Sequence, residues 1–480
     1  MCMETTSSNH NENLSEKPID TSVYESFRRK IKGEVILPGE PDYGSARRLW
    51  NGMIDKHPAV IVRCKGIADV IHAIRFAREH ELPVAVRGGG HNVSGNAVIE
   101  GGMVVDLSLM RSVHVHPGEK RVWAEGGAKL GDIDHETQAF GLAVPIGVVS
   151  RTGIGGLTLH GGYGFLTRKY GLTIDNMLSA TVVTADGRLL YADKNENADL
   201  FWALRGGGGN FGVVTSFEFQ LHPVGPEVWI AQVLYPVSQA KKVLQAFRSY
   251  QQNWPDELSG IAVFWNAPAE EPIPEEFRGT AVIILVACYC GDVRKGEQAI
   301  QPLRELATPV ADFSSRMPFL EAQQIFDPEY PDGRRYYWKA INIDHLEDPV
   351  IDALIGHAAK RPSDLTSLDV WMAGGAVSRV KPEDTAYAHR GIPFMIGIEA
   401  NWENPSEDED NIRWSRELFE DMKRFSSGGT YLNFPGFVEE GEALIKSSYA
   451  GNYRRLQSIK AKYDPDNFFS STMNILPKKN

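Results

Sequence analysis

Residues 83–95 read Pro-Val-Ala-Val-Arg-Gly-Gly-Gly-His-Asn-Val-Ser-Gly. The apolar run from Val84 to Val86 is typical of a buried strand, and it ends at Arg87 and three glycines. Glycine adopts positive φ and carries no Cβ, so successive N–H groups can form a concave nest for an anion such as a pyrophosphate. His91 then places an imidazole at the rim of the nest. Taken alone, the stretch is equally typical of a tight surface turn with a solvated histidine.

Two further glycine-rich stretches follow in the same half of the chain. Residues 153–164 read Gly-Ile-Gly-Gly-Leu-Thr-Leu-His-Gly-Gly-Tyr-Gly, and residues 205–212 read Arg-Gly-Gly-Gly-Gly-Asn-Phe-Gly. Together the loops indicate backbone wrapped closely around one large ligand that carries phosphate. A nicotinamide site is the alternative, but its fingerprint needs G-x-G-x-x-G between a strand and a helix, followed by an acid. Neither stretch is placed in that way.

Composition excludes several classes of protein. The chain has 480 residues, too many for one ordinary core, so we expect two domains. Its net charge of −12 repels phosphate backbones, which argues against a nucleic-acid partner. It has no apolar run long enough for a membrane span. Its cysteines, Cys2, Cys64, Cys288 and Cys290, lack metal or redox spacing, so we expect no metal site and a reduced, cytoplasmic location. Nothing in the sequence indicates the oligomeric state.

The first part of the chain combines a tail with a β-α-β unit. Residues 1–22 are polar and lack the features of a signal peptide, so we expect a disordered N-terminal tail. A strand at 58–63, a helix at 67–80 and a strand at 83–87 form the β-α-β unit, with the His91 loop at the ligand-binding end of its second strand. Hairpins at 111–124 and 178–190 indicate a second lobe, so residues 23–224 are predicted to form one two-lobed domain.

The pattern changes after Pro223, Gly225 and Pro226. Residues 225–430 are predicted to form a second domain, in which long strands alternate with long helices. This pattern favours an antiparallel sheet covered by helices on one face, an α+β arrangement. The predicted strands are 228–235, 260–265, 280–290, 335–343, 367–379 and 393–402, and the predicted helices are 238–252, 294–305, 348–360 and 408–426.

These stretches resemble the flavin domain of the vanillyl-alcohol oxidase / p-cresol methylhydroxylase superfamily, and within it the berberine-bridge-enzyme-like oxidases. The resemblance extends from about residue 45 to residue 477, with several motifs in the same order. It includes a closing signature, Tyr449-Ala-Gly-Asn-Tyr-Arg-Arg-Leu and Tyr463-Asp-Pro-Asp-Asn-Phe-Phe. It implies a two-lobed FAD-binding domain of the p-cresol methylhydroxylase type, to which residues 431–480 return. In that family the histidine after Arg-Gly-Gly-Gly, here His91, is joined to the 8α-methyl group of FAD.

The resemblance also implies which residues contact FAD. It places Asp175 and Asn176 near the phosphates and adenine, the backbone of Val214 near the adenosine, and Asn474 near the isoalloxazine. The full set of expected FAD contacts is Arg87, Gly88, Gly89, Gly90, His91, Asn92, Ser94, Gly95, Val149, Ser150, Thr152, Gly153, Gly155, Gly156, Leu157, Gly162, Tyr163, Gly164, Asp175, Asn176, Val214 and Asn474.

The covalent link is expected to be single. Many relatives add a second link through a cysteine after Gly147, but that position is Val149 here. Relatives with one link include hydroxynicotine-type oxidases. A valine-like residue near Thr152 commonly accompanies oxygen reactivity in the family, and the threonine departs from that pattern. His160 stands where the family more often has glycine; it either faces the flavin or, as we favour, packs in a crevice.

The catalytic base is the least defined part of the site. Two family positions that often hold Glu or Tyr correspond to Met395 and Phe434, which cannot accept a proton. On the strand 394–402, Glu399 shares a face with Met395, so a desolvated Glu399 with a raised pKa is one candidate. The other candidates are Tyr431, Asn433, Tyr337 and Lys339, where Lys339 would lower the pKa of Tyr337 if both face inward. Trp338 and Trp371 are expected to wall the pocket, unless they are simply core.

The sequence therefore predicts an FAD-dependent oxidoreductase. We expect an oxidase that takes a hydride from a small organic substrate, such as an alcohol, an amine, a sugar or a secondary-metabolite ring, and passes the electrons to O2 to give H2O2. A dehydrogenase with another acceptor is an alternative. A flavin-binding protein without turnover is another, because both family bases are replaced.

Overall fold

The computed structural model describes residues 19–251, 253–471 and 473–479. Most of the predicted tail lies outside these residues. Its last part does not: Asp20 caps a helix that begins at Thr21, so residues 21–22 are helical rather than disordered. This helix packs on the neighbouring core through Phe27, whose ring stacks on Phe76 at 4.1 Å.

The N-terminal part of the chain contains two main sheets and short helices. Its strands are β1 (Glu34–Ile36), β2 (Val60–Arg63), β3 (Val84–Arg87), β4 (Met103–Asp106), β5 (Val113–His116), β6 (Arg121–Glu125), β7 (Leu142–Ala143), β8 (Met177–Val183), β9 (Leu189–Asp193), β10 (Val213–Gln220) and β11 (His222–Pro223). Its helices are α1 (Thr21–Arg28), α2 (Tyr43–Ala46), α3 (Ile67–Glu79), α4 (Leu130–Gln138), α5 (Ile154–Leu159), α6 (Thr167–Tyr170) and α7 (Ala198–Leu204).

The predicted β-α-β unit is confirmed as β2–α3–β3. Strand β4 lies between β2 and β3 and pairs parallel with both, in a sheet of order β1–β2–β4–β3. Helix α3 packs its apolar stripe, including Val70, Ala73, Ile74 and Ala77, on this sheet. Because β3 and β4 are parallel, both strands end at the same edge of the sheet, and the His91 loop begins there.

The two predicted hairpins form the second sheet. Strands β5–β6 and β8–β9 pair antiparallel, and β10 joins them in the order β5–β6–β10–β8–β9. The turn at Asp186-Gly187 is present, with Gly187 at φ +74°. The second lobe predicted from the hairpins is therefore built as expected.

The central part of the chain is a single large sheet with helices. Its strands are β12 (Glu227–Pro236), β13 (Leu258–Asn266), β14 (Ala281–Tyr289), β15 (Ala311–Asp312), β16 (Ser315–Pro318), β17 (Arg335–Ile343), β18 (Ser367–Met372) and β19 (Phe394–Trp402). Its helices are α8 (Ala240–Gln251), α9 (Val293–Arg304), α10 (Phe319–Ala322), α11 (Asp348–Ala358), α12 (Ala376–Arg379) and α13 (Asp408–Met422).

This sheet is antiparallel, with strand order β15–β12–β14–β13–β18–β19–β17 and β16 beside β12. Apolar residues of α8, α9, α11 and α13 share one core with alternate residues of the strands, so these helices cover one face. The predicted α+β organisation is confirmed. One strand was predicted too long: β18 ends at Met372 because Gly374 and Gly375 turn the chain at positive φ, and residues 376–379 are helical.

The C-terminal part returns to the N-terminal part. Helices α14 (Gly441–Tyr449) and α15 (Tyr453–Tyr463) were not predicted, and they share a core with the second sheet. Lys460 of α15 is fully buried and donates hydrogen bonds to Asn210 O (2.8 Å), Asp464 Oδ2 (2.6 Å) and Phe469 O (2.9 Å). A buried ammonium is tolerated because it is paired and fully hydrogen-bonded, and it joins the C-terminal segment to the third glycine loop.

Candidate active site

A cavity lies between the N-terminal sheets and the face of the large sheet opposite helices α8, α9, α11 and α13. One end is apolar, the middle is lined by glycine loops, and the other end is walled by aromatic side chains. The lining residues are Val84, Val86, Gly88, Gly89, Gly90, His91, Asn92, Val93, Asn96, Ala97, Leu107, Gly126, Gly147, Val148, Val149, Thr152, Gly153, Gly155, Gly156, Leu157, Leu159, His160, Tyr163, Gly209, Gly212, Val214, Trp338, Trp371, Met395, Tyr431, Asn433, Phe434, Phe469 and Ser471.

The first two glycine loops contact each other through their backbones. A Cβ built on Gly89 would lie 2.5 Å from Gly153 Cα, and one built on Gly153 would lie 2.7 Å from Gly89 Cα. A Cβ built on Gly155 would lie 3.0 Å from Gly126 O. Glycine is therefore required at 89 and 153 by space, and the loops bring their backbone groups to the wall of one cavity.

The third glycine loop closes the cavity from another side. Gly208 N donates to Leu159 O at the end of α5 (2.9 Å), and Gly209 and Gly212 line the cavity. Asn210 is fully buried; its Nδ2 donates to Met473 O (2.9 Å) and its Oδ1 accepts from Ile475 N (2.9 Å). The C-terminal segment thus fixes the third loop in place.

His91 projects from the first loop onto the cavity wall. Its ring stacks on Trp50 with centroids 4.0 Å apart and planes 18° apart. Burial lowers the pKa of His91 to about 3, with smaller contributions from the charges of Lys129 and Arg151. The imidazole is therefore neutral at physiological pH, and its Nε2 is buried with no hydrogen-bond partner among the described residues.

The lining fits FAD. Glycine backbone surrounds the middle of the cavity, where a pyrophosphate can be bound by N–H groups rather than by side chains. Among the described residues, none that line the cavity is Lys, Arg, Asp or Glu. Aromatic and aliphatic side chains at the two ends suit flat ring systems such as adenine and a flavin ring.

Comparisons with known proteins agree with this site. The family model described as "FAD binding domain" matches residues 58–193, and the model "Berberine and berberine like" matches residues 430–476. An FAD-linked oxidoreductase from Dictyostelium discoideum is 32% identical over 96% of this chain and 98% of its own length. The chain belongs to the berberine-bridge-enzyme-like FAD-linked oxidoreductases.

Two further comparisons, one of sequence and one of structure, match this chain to 6-hydroxynicotine oxidases. The (R)-6-hydroxynicotine oxidase of Paenarthrobacter nicotinovorans is 31% identical over 93% of this chain and 97% of its own length. The crystal structure of 6-hydroxy-D-nicotine oxidase from Arthrobacter nicotinovorans matches with a TM-score of 0.83 at 31% identity, covering 93% of this chain and 98% of that one. The protein is therefore an FAD-linked oxidoreductase with the fold that the resemblance implied.

Many of the expected FAD contacts in this oxidoreductase lie on the cavity wall. They are Gly88, Gly89, Gly90, His91, Asn92, Val149, Thr152, Gly153, Gly155, Gly156, Leu157, Tyr163 and Val214. Six others shape the loops from behind and do not line the cavity: Arg87, Ser94, Gly95, Ser150, Gly162 and Gly164. Arg87 Nη1 donates to Ala46 O, for example, and Ser150 N donates to Asp327 Oδ1 (2.8 Å).

Asp175 and Asn176 do not lie on the cavity wall, contrary to expectation. The carboxylate of Asp175 pairs with both terminal nitrogens of the buried Arg390, at 2.7 and 2.8 Å. Asn176 Nδ2 donates to Tyr170 O and Leu172 O, both at 2.9 Å. These polar groups satisfy backbone and side-chain partners within the protein, and their contact with FAD stays a prediction.

Asn474 is also absent from the cavity wall. It lies between Met473 and Ile475, which belong to the core of the second sheet. Its Oδ1 is buried without a partner among the described residues, and its contact with the isoalloxazine stays a prediction.

The aromatic end is formed by β17, β18, β19 and the segment after residue 430. Trp338 and Trp371 wall the cavity, as predicted, and Met395 and Phe434 line it too. Phe434 packs edge-on against Trp338, with centroids 5.0 Å apart. Neither Met395 nor Phe434 can accept a proton, so this wall excludes water without supplying a base.

Tyr431 and Asn433 are the predicted catalytic candidates that reach the cavity. Asn433 Nδ2 donates to Tyr431 Oη at 2.9 Å. Burial raises the pKa of Tyr431 to about 12, against opposing hydrogen bonds from Asn433 and from backbone amides of Tyr163 and Gly162. At neutral pH Tyr431 is a phenol that can donate a hydrogen bond.

Tyr337 and Lys339 face away from the cavity, and their catalytic roles stay predictions. On β17 the residues 337, 339, 341 and 343 point towards the helices, while Trp338 points towards the cavity. Tyr337 Oη donates to Glu439, and burial together with Glu439 raises its pKa well above the usual value. Lys339 Nζ is paired with Glu439 and Glu440, so it does not lower the pKa of Tyr337.

Glu399 lies on the cavity side of the sheet, as predicted from its shared face with Met395, but behind the wall. Its carboxyl group is 3% exposed and does not line the cavity. Tyr330 Oη donates to Glu399 Oε2 at 2.7 Å, and Asp369 lies beside it on β18. Burial raises the pKa of Glu399 to about 7 and that of Asp369 well above its usual value, because it disfavours the charged form of both carboxyl groups.

Sequence reasoning left the position of His160 open and missed Trp50. His160 lines the cavity, and its Nε2 lies over Gly208, where a Cβ would come within 2.6 Å. The side chain of His160 therefore packs in a crevice against Gly208 and also borders the cavity, so each of the two predicted positions is met in part. Burial lowers its pKa to about 4, so it is neutral. Trp50 was also missed, since nothing in its local sequence links it to His91.

Within the described residues, no cluster of His, Cys, Asp or Glu side chains could hold a metal ion. Cys64, Cys288 and Cys290 are buried and free, and none of them lines the cavity. Between residues 19 and 479, apart from the gaps given above, no helix has the length and apolar character needed to span a bilayer.

Proposed function

We propose that this protein is an oxidase that holds FAD covalently through His91 alone. The observation that carries the proposal is the position of His91: a neutral imidazole at the tip of a glycine loop, on the wall of a cavity that fits FAD. A nucleophilic nitrogen must carry a free lone pair, and burial keeps this imidazole unprotonated. The wall offers no cysteine for a second link, and Val149 occupies the place where one would stand.

The protein's own residues prepare the site in separate ways. When bound, FAD supplies a two-electron acceptor that O2 can reoxidise, with H2O2 as the product. The glycine loops would bind its phosphates through backbone N–H groups. Trp338, Trp371 and Phe434 exclude water from the substrate side.

Tyr431 is the group that we assign to substrate orientation. It lines the cavity and is held by Asn433, and as a phenol it donates a hydrogen bond to an oxygen or nitrogen of the substrate. Glu399 has the better pKa for accepting a proton, but it does not reach the cavity. Glu399 therefore acts on the site through the residues that form the cavity wall, and not by direct contact with the substrate.

The wall also limits the class of substrate. With neutral histidines and no charged side chain at the cavity, a carboxylate or phosphate on the substrate finds no cation to pair with. We propose a flat, largely apolar small molecule with one polar group at the carbon to be oxidised. The relatives named as 6-hydroxynicotine oxidases are consistent with a ring substrate of this kind.

The tether is tested by a His91→Ala variant. The purified wild type is precipitated with acid, washed and run on a denaturing gel under ultraviolet light. We expect a yellow pellet and a fluorescent full-length band from the wild type, and neither from His91→Ala. Flavin that stays with the denatured variant would show that another residue carries the link.

The oxidase assignment needs a separate test. The enzyme is reduced anaerobically, with a substrate from a screen of ring amines and alcohols or, failing that, with dithionite, and then mixed with O2 in a stopped-flow instrument. Rapid reoxidation with one H2O2 per flavin supports an oxidase. Slow reoxidation, with fast reaction towards a quinone, would identify a dehydrogenase instead.

A further inference from the structure

Residues 50–52 join the His91 loop to the large sheet. Asn51 Nδ2 donates to Val93 O in the loop and to Tyr336 O on β17, both at 2.8 Å. Trp50 N donates to Gly90 O (3.2 Å), and Gly52 N donates to Arg334 O (2.8 Å). The segment therefore ties the loop that carries His91 to the strand that carries Trp338.

The indole of Trp50 lies in a stack of three rings. One neighbour is His91, with centroids 4.0 Å apart, and the other is Tyr336, at 3.6 Å and 13° between planes. The indole is 4% exposed, and its Nε1 donates to Tyr330 O at 2.9 Å. Its orientation is fixed by this hydrogen bond and by packing on both faces.

The imidazole of His91 has no comparable polar anchor at its far nitrogen. Its Nε2 is buried and makes no hydrogen bond to the described residues. Its ring plane is instead set by contact with Trp50. Since a bond to carbon forms along the lone pair in the plane of the imidazole, the plane of the ring decides whether that bond can form.

We propose that Trp50 is a positioning residue for the covalent attachment of FAD: it holds the His91 ring in the plane that the bond requires. This inference rests on the proposed His91 tether. Joining an imidazole nitrogen to the flavin methyl carbon forms one C–N bond and breaks one C–H and one N–H bond. The two protons and two electrons released are taken up by O2, which becomes H2O2.

The stack also suits the chemistry of the linked histidine. An alkylated imidazole that binds a proton is a cation, and the face of an indole attracts a cation. Trp50 therefore stabilises positive charge on His91 at the stage when the new bond forms. The contact is worth roughly a twofold to tenfold change in rate, the factor that corresponds to one aromatic pair.

The test compares Trp50→Leu, Trp50→Phe and a matched control. Trp414 on α13 is a suitable control because it is also buried, at 6% exposed, and its Nε1 also donates to a backbone carbonyl, His357 O (3.1 Å). Each protein is purified after the same short expression. Total FAD and acid-stable FAD are then measured, and their ratio gives the covalent fraction among chains that bind FAD.

We expect the ratio to fall at least twofold in Trp50→Leu, to fall less in Trp50→Phe, and to stay at the wild-type value in Trp414→Phe. A purely structural role would lower total FAD and leave the ratio unchanged, and that result would overturn the proposal. If Trp50→Leu binds no FAD, Trp50→Phe decides: an unchanged ratio there overturns the proposal, and a lowered one supports it. A wild type without acid-stable FAD would overturn the tether itself, which is a distinguishable failure.

Discussion

Replacement of Gly153 by alanine tests the contact between the first two glycine loops. The new Cβ would lie 2.7 Å from Gly89 Cα and closer still to Gly89 N, so one loop must move. Overpacking of this kind costs about 1–3 kcal/mol. Each 1 kcal/mol of lost stability lowers the Tm of a domain of roughly 150–250 residues by about 2–4 °C, so we expect the Tm to fall by about 2–12 °C.

The same change should weaken FAD binding, because both glycines line the cavity. If the whole overpacking cost destabilises the FAD-bound protein and none of it the free protein, the affinity for FAD decreases by about fivefold to 150-fold. The assay combines thermal unfolding with the ratio of flavin to protein absorbance in the purified enzyme.

A control separates this effect from the general cost of a methyl group. Gly356 lies inside α11, and a Cβ there meets nothing within 4 Å. Gly356→Ala should raise stability by up to about 1 kcal/mol and leave flavin content unchanged. If Gly153→Ala also keeps wild-type Tm and full flavin content, the loops are not in the close contact described and the reasoning is refuted.

Three other predictions concern single side chains. Val149→Cys in a His91→Ala background should restore acid-stable flavin, because residue 149 lines the cavity; a colourless acid pellet would contradict this. Burial raises the pKa of Glu399 from 4.5 to about 7, so the folded protein keeps a proton that the unfolded chain releases, and the free energy of unfolding falls as pH rises through that window. Glu399→Gln should remove roughly 1–3 kcal/mol of that fall in urea titrations between about pH 5 and about pH 8, and an unchanged slope would argue against it. Tyr431→Phe should lower kcat/KM by about tenfold or more while Tyr337→Phe stays within about twofold, and equal effects would show that the assignment of strand faces is wrong.

The order of elements was predictable because it follows local patterns. Strand β17 occupies 335–343, as predicted, and α3 follows its i, i+3, i+4, i+7 stripe closely. Helices α14 and α15 were not predicted, although each buries an apolar stripe that its sequence carries. The end of β18 depends on Gly374 and Gly375, whose positive φ has little local signal beyond glycine itself.

The site was predictable where backbone chemistry determines it. The glycine loops, His91 and Val149 carry their signal in residue type, and the cavity contains them. The face to which Tyr337 and Lys339 point could not be predicted, because a strand buried on both faces gives no indication of which face meets the ligand. The pairing of Asp175 with Arg390 could not be predicted, because the two residues are distant in sequence and no local feature links them.

The other features that the sequence did not predict depend on contacts between distant segments of the chain. The stack of Trp50 on His91 and Tyr336 joins three separate segments of the chain, and their only sequence signal is that they are aromatic or imidazole rings. The pairing of Glu399 with Asp369 depends on the register of β18 against β19. Register of this kind is a property of the whole sheet, so it becomes visible only in the structure.

The most direct test of the central claim is the mass of the denatured protein, followed by mapping of the flavin-bearing peptide. A single covalent link predicts the mass of the chain plus one FAD, less two hydrogen atoms, with the flavin on the peptide that contains His91. A bare chain mass, obtained from protein that was yellow before denaturation, would contradict the covalent tether. Flavin on a peptide without His91 would contradict the assignment of that residue.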